Sequence, residues 1–191
     1  MTKKVSRSRA LAPILSIAVI LFLIVISFSY FKGAFKQNRG EVLAQDISYL
    51  AHIFTQINNT AGILSFDFTK NRIDFLNIKK DGFIGSEVGS MNLINPKKWE
   101  GPYIRNIPLH EEDYMVLRTK KGYFITPADD VRLPNGKIIG QDIILDQNSD
   151  IEHMMHEEGL LSFSGRPLAA KIVVSGGYSQ MLPFIMPEDS E

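Results

Sequence analysis

The run from Ala10 to Phe31 carries no charged side chain and is bracketed by Arg9 and Lys32. At about 1.5 Å per residue it makes roughly 33 Å of helix, enough for a hydrocarbon core of about 30 Å. In lipid, a lone segment can satisfy its own backbone donors and acceptors only as a helix. The run therefore predicts a transmembrane helix over 10–33, with Leu11, Ile14, Ile17, Leu21, Ile24 and Phe28 as anchor positions. A cleaved signal peptide is the competing reading, because Lys3, Lys4, Arg7 and Arg9 form a basic head. Against it, the run exceeds the usual apolar region of about 7–15 residues, and no A-x-A triplet closes it. The basic tail 1–9 tips the orientation to N-terminus inside and the remaining chain outside, although Lys32, Lys36 and Arg39 follow the run closely.

Beyond the anchor, Leu43, Ile47, Leu50, Phe54 and Ile57 repeat at spacings of 4, 3, 4 and 3. This is the seam of an amphipathic helix, here predicted over 34–62 and packed on a sheet. No proline falls between Pro13 and Pro96, so the anchor can run on into this helix, with Gly33 and Gly40 as weak points. Asn58-Asn59-Thr60, also an N-x-T triplet, leads into its end.

The alternation Leu64, Phe66, Phe68 predicts a strand, and Ile73 to Leu76 a short helix beginning near Asn71. Asp81-Gly82, Gly85 and Gly89 make 79–100 a loop. Tyr114–Leu117 and Tyr123–Thr126 read as paired strands around Lys120-Lys121. Asn135-Gly136 predicts a type I′ hairpin with a returning strand from Ile138 to Leu145. Ser149-Asp150-Ile151-Glu152 fits a capping box for a helix over 150–158, and Lys171–Val174 a last strand. Residues 63–182 then form one outer domain, followed by an acidic tail, 183–191.

With 21 basic and 21 acidic residues, the zero net charge gives no reason to expect a nucleic-acid partner. No cysteine is present, which excludes disulfides, thiolate metal sites and a cysteine nucleophile. The first acid is Glu41, whereas 129–158 holds eight carboxylates against Arg132 and Lys137. Asp146, Asn148, Asp150 and Glu157 have the 1, 3, 5, 12 spacing of a calcium loop, though Ile151 replaces the turn glycine. His153 and His156 lie three apart, a candidate zinc pair that matches no zincin order. No nucleophile elbow, P-loop or dinucleotide fingerprint occurs, so no enzyme is expected.

The order of parts resembles type IV pilin-like proteins, in particular the pseudopilins of type II secretion. The most specific match is Trp99-Glu100-Gly101-Pro102-Tyr103, similar to their W-x-G-P-Y segment, with Ala44-Gln45-Asp46-Ile47 resembling the helix upstream. Ala10 and Leu15 stand where such precursors carry Gly and Glu, which points to an atypical subunit or a permanent anchor. The resemblance implies an α+β pilin-like fold: a long membrane-spanning helix continuing into an amphipathic helix on a small antiparallel sheet. It also raises calcium as a candidate cofactor, at a site among Asp129, Asp130, Asp142, Asp146, Asn148 and Asp150.

The expected function is a single-pass structural subunit of a secretion or pilus-type assembly. Its partners would be the lipid bilayer and other pilin-like subunits, with the outer domain in the bacterial periplasm. The alternatives are a membrane-tethered ligand- or calcium-binding sensor, and a membrane-anchored hydrolase using the acidic cluster and the histidines.

Overall fold

The computed structural model describes residues 7–104, 109–157 and 160–176, with the side chains of 7–16, 18 and 28–37 outside that description. One helix, α1 (Arg7–Thr60), runs without a break through Gly33 and Gly40. Its second half is one-sided: Leu43, Ile47, Leu50, Phe54 and Ile57 are buried, joined by Ile53 and, just past the helix end, Ala61. Its described apolar side chains before that, Ile17 and Val19 to Ile26, are all exposed.

The membrane-spanning helix expected over 10–33, and the pilin-like fold class built on it, need correction. Among the described residues, no helix is long and apolar enough to cross a membrane. The described apolar stretch Ile17–Ile26 makes about 15 Å of helix, roughly half of a hydrocarbon core. Ile17, Leu21 and Ile24 lie within it, whereas the side chains of Leu11, Ile14 and Phe28 fall outside the described residues. What stands is a mixed fold of helix with a four-stranded and smaller antiparallel sheets.

The larger sheet has the order β2-β5-β6-β9, from Lys70–Arg72, Tyr114–Thr119, Gly122–Pro127 and Ala170–Ile172. Its centre is a hairpin in which Thr119 faces Gly122 across Lys120-Lys121. Both β6 and β9 pack on α1. The smaller sheet, β1-β4-β3, joins Ile63–Phe66, Met91–Leu93 and Glu87–Val88. Phe66 bridges the layers: its ring centroid lies 6.1 Å from Phe54 on the helix and 5.0 Å from Tyr123 on β6.

Several local expectations give way to identifiable contacts. A bulge between Ile63 and Ser65 breaks the alternation, so Ile63 and Phe66 are buried while Leu64 stands out, and Phe68 is exposed past the end of the strand at Phe66. Asn71 lies in β2, and the short helix is a 3-10 turn over Asp74–Asn77. The segment 79–100 contains β3 and β4, strands of two and three residues. At Asn135-Gly136 only Gly136 has positive φ, 94°, and its N–H donates to Leu133 O at 2.9 Å while Leu133 N–H donates to Lys137 O. That is a three-residue loop with glycine in the left-handed position, leading to isolated bridges instead of a returning strand. The predicted helix over 150–158 is a single turn, α2 (Ile151–Met154), capped by Asp150 and not Ser149. A two-stranded hairpin, β7 (Ser162–Phe163) and β8 (Arg166–Pro167), precedes β9.

Candidate functional site

An open groove of about 1250 Å³ runs beside α1, between Val42, Tyr49 and His52 on the helix and Arg166, Pro167 and Ala169 on the facing chain. The helix supplies this wall because its buried seam faces the sheets, leaving Val42, Gln45, Tyr49 and His52 on the other side. On the groove wall, the Tyr114 hydroxyl donates to Asp46 Oδ2 at 2.6 Å, fastening β5 to the helix. Burial first, and then this bond to a carboxylate, push the Tyr114 phenol far above its ordinary pKa. The pair ties the buried phenol to the helix as a neutral donor.

The groove ends where the β7–β8 hairpin meets the helix. Phe163 lies so close to Gly40 that a Cβ there would overlap its ring. Glycine is thus the notch that lets the hairpin approach. Arg166, paired with Phe163 in the hairpin register, is exposed beside this contact and has no ion-pair partner among the described residues.

Trp99, Gly101, Pro102 and Tyr103 form a closed knot. Trp99 is buried and its Nε1–H donates to Ile78 O at 3.0 Å. Tyr103 stands edge-on to it with centroids 4.9 Å apart, its N–H donates to Leu76 O at 2.8 Å, and the Gly101–Pro102 bond is cis. These contacts fill the space between the short turns and fix the segment against Ile78 and Leu76. Burial raises the Tyr103 phenol above its usual range.

The acidic residues are spent locally. Asp129 pairs with Lys70 at 2.8 Å, Asp130 accepts from Gln141 at 3.2 Å, and Asp142 accepts from Ile138 N–H at 2.8 Å. Asp146 accepts from Asn148 N–H at 2.8 Å and from Ser149 Oγ at 3.1 Å, and these bonds lower its pKa. Asp150 pairs with Lys121 at 2.5 Å and caps α2 through His153 N–H, both lowering it in turn. Glu152 is lowered by Lys171, 2.8 Å away. His153 pairs with Glu157 at 3.2 Å, and the His156 ring nitrogen lies 2.7 Å from Glu152 O. Among the described residues no group of three or more His, Asp or Glu is placed to hold a metal ion. The six carboxylate and amide positions named as a calcium set are therefore not brought together.

Asn58, which the sequence places in an N-x-T triplet leading into the helix end, accepts through its Oδ1 from Ile63 N–H at 2.9 Å, Ser175 N–H at 3.1 Å and Ser175 Oγ at 2.8 Å. Sequence reading also missed the Asp46–Tyr114 tether and the Gly40–Phe163 notch. All three join residues far apart in the chain and leave no local pattern, although an interior helix glycine with no break is a usable hint. No family model, curated protein or solved structure matches this chain.

Proposed function

We propose that this chain is a structural subunit of an envelope secretion or pilus-type assembly, akin in role to type IV pilins and pseudopilins, and that it works by helix-mediated association and not by catalysis. The observation that carries the reading is the bare apolar sleeve on α1. From Ile17 and Val19 to Ile26 every large side chain is 48–65 % exposed, on all sides of the helix. A helix that is apolar all round requires cover, and water is the one environment it cannot tolerate. Helices of further subunits supply that cover in a bundle, while the sheet domain beginning near Gly40 stays outside it. The W-x-G-P-Y segment at Trp99 supports the comparison with pseudopilins, and the engaged acidic residues leave the helix as the strongest candidate for the working surface.

The test is sedimentation of the full chain and of an Ile20→Asp/Ile24→Asp variant, with urea unfolding followed through Trp99 as a check on the domain. The expected result is association by the full chain, loss of association in the variant, and an unchanged domain transition. A full chain that stays a single subunit with the sleeve in water refutes the proposal, as does association that the two charges leave intact.

A further inference from the structure

We propose that Asn135 is a site of covalent self-modification, where the exposed loop 133–137 converts the asparagine to aspartate and isoaspartate, and that one hydrogen bond of the loop sets the rate. Of the chain's ten asparagines, Asn135 alone is followed by glycine. The reaction requires the backbone nitrogen of the next residue to reach the side-chain amide carbon, and a side chain on that residue hinders the approach. Gly136 has none, is exposed together with Asn135, and has open space where a Cβ would stand. The Asn135 side chain already turns back over this peptide. Its Oδ1 accepts from Lys137 N–H at 2.9 Å, which also draws electron density from the amide carbon.

The chemistry balances with water as its one co-reactant. The Gly136 nitrogen gives its proton to hydroxide and attacks Asn135 Cγ, and the side-chain nitrogen leaves as ammonia with a proton returned from water. Water then opens the cyclic imide. Opening at the side-chain carbonyl yields aspartate, and opening at the main-chain carbonyl yields isoaspartate, with the chain continuing through Cβ. Nothing is oxidised or reduced.

The loop carries its own brake. Gly136 N–H donates to Leu133 O at 2.9 Å, so the nucleophile is engaged while the loop is closed. Leu133 N–H to Lys137 O at 2.8 Å and Ile139 N–H to Val131 O at 3.0 Å hold the base of the loop. Reaction therefore proceeds from a locally opened loop in an otherwise folded chain, and one ordinary hydrogen bond slows it roughly fivefold to tenfold. Asn58 and Asn59 lie inside α1, where the helix engages the backbone N–H groups, and Asn95 precedes a proline, which has no N–H. The nearest competitor is Asn148, exposed and followed by Ser149. Isoaspartate lengthens the main chain by one carbon, so the Leu133–Lys137 bond and the Arg132–Ile138 bridge lose register beside the buried Leu133 and Ile139.

The test holds the full chain at mildly alkaline pH, native and unfolded in guanidinium chloride, and separates the tryptic peptide 133–137 into its asparagine, aspartate and isoaspartate forms. Both products are expected in the native chain, at a rate that rises with hydroxide and exceeds the rate at Asn148. That native rate is expected to lie roughly fivefold to tenfold below the unfolded one. Asn135→Gln, which would have to close a larger ring, is expected to stop the reaction at this position. Aspartate without isoaspartate overturns the ring closure, and a native rate no higher than at Asn148 overturns the site. Equal rates in the native and unfolded chain overturn the role of the Gly136 N–H bond.

Discussion

Replacing Gly40 by alanine sets two effects of similar size against each other. An interior helix position gains about 0.5–1 kcal/mol from Gly to Ala, because glycine loses more backbone freedom on folding. At Gly40 the added methyl would overlap the Phe163 ring, which is half-buried against the helix. Forcing a methyl into a filled contact costs about 1–3 kcal/mol. The overlap is with ring carbons and not backbone, so the hairpin can yield and the lower half of that range applies. Gly40→Ala is therefore expected to destabilise by roughly 0.5–1 kcal/mol net. With Phe163→Ala the obstacle is gone, and Gly40→Ala should then stabilise by about 0.5–1 kcal/mol. The four proteins form a double-mutant cycle with a coupling of about 1–2 kcal/mol. Urea unfolding followed by fluorescence of the single, buried Trp99 measures each corner. If Gly40→Ala stabilises equally in both backgrounds, the notch is not needed and the argument fails.

Asn58→Ala removes an acceptor that serves Ile63 and Ser175 together, so a loss of about 1–3 kcal/mol is expected, whereas Asn58→Asp, which keeps the oxygen, should cost clearly less. Proteolysis at the segment after Ile172 reports whether the loss is local. Tyr114 gives a pH signature. Its folded pKa is raised above the ordinary value near 10, so above about pH 10 the unfolded chain binds fewer protons than the folded one and stability falls as pH rises. Unfolding midpoints across alkaline pH should show that decline steeper in the native protein than in Tyr114→Phe, and parallel curves would remove Tyr114 from the account.

The helix seam from Leu43 to Ile57 and the β5–β6 hairpin were legible because each is written in one periodicity over a continuous stretch. Leu64, Phe66 and Phe68 misled for the reason that one bulged residue exchanges the two faces of a strand, and nothing local announces the bulge. The strands β3 and β4 are too short to show a period, and their existence depends on pairing, of β4 with β1 and of β3 with β4. At Asn135-Gly136 the turn was legible but its register was not: Pro134 shifts the loop by one residue, so glycine alone takes positive φ. The acidic stretch looked like a ligand set because spacing records the carboxylates but not the lysines that meet them, Lys70 and Lys121 being 59 and 29 residues away. The groove carried no signal in the sequence, since its two walls come from residues more than a hundred positions apart.

The last strand of the larger sheet has a consequence for how the chain is made. β9 lies against β6 and α1, and the residues just after it lock onto Asn58. The layers can therefore close fully only once residues through about Gly176 have left the ribosome, since the helix is made well before the strand that covers it. Until then the part of the seam that β9 covers stays open, along with the sleeve before it. Closure that depends on such distant contacts is slow, and a chain arrested short of residue 170 exposes two adjoining apolar surfaces. Such a nascent chain depends on chaperones to keep those surfaces from aggregating.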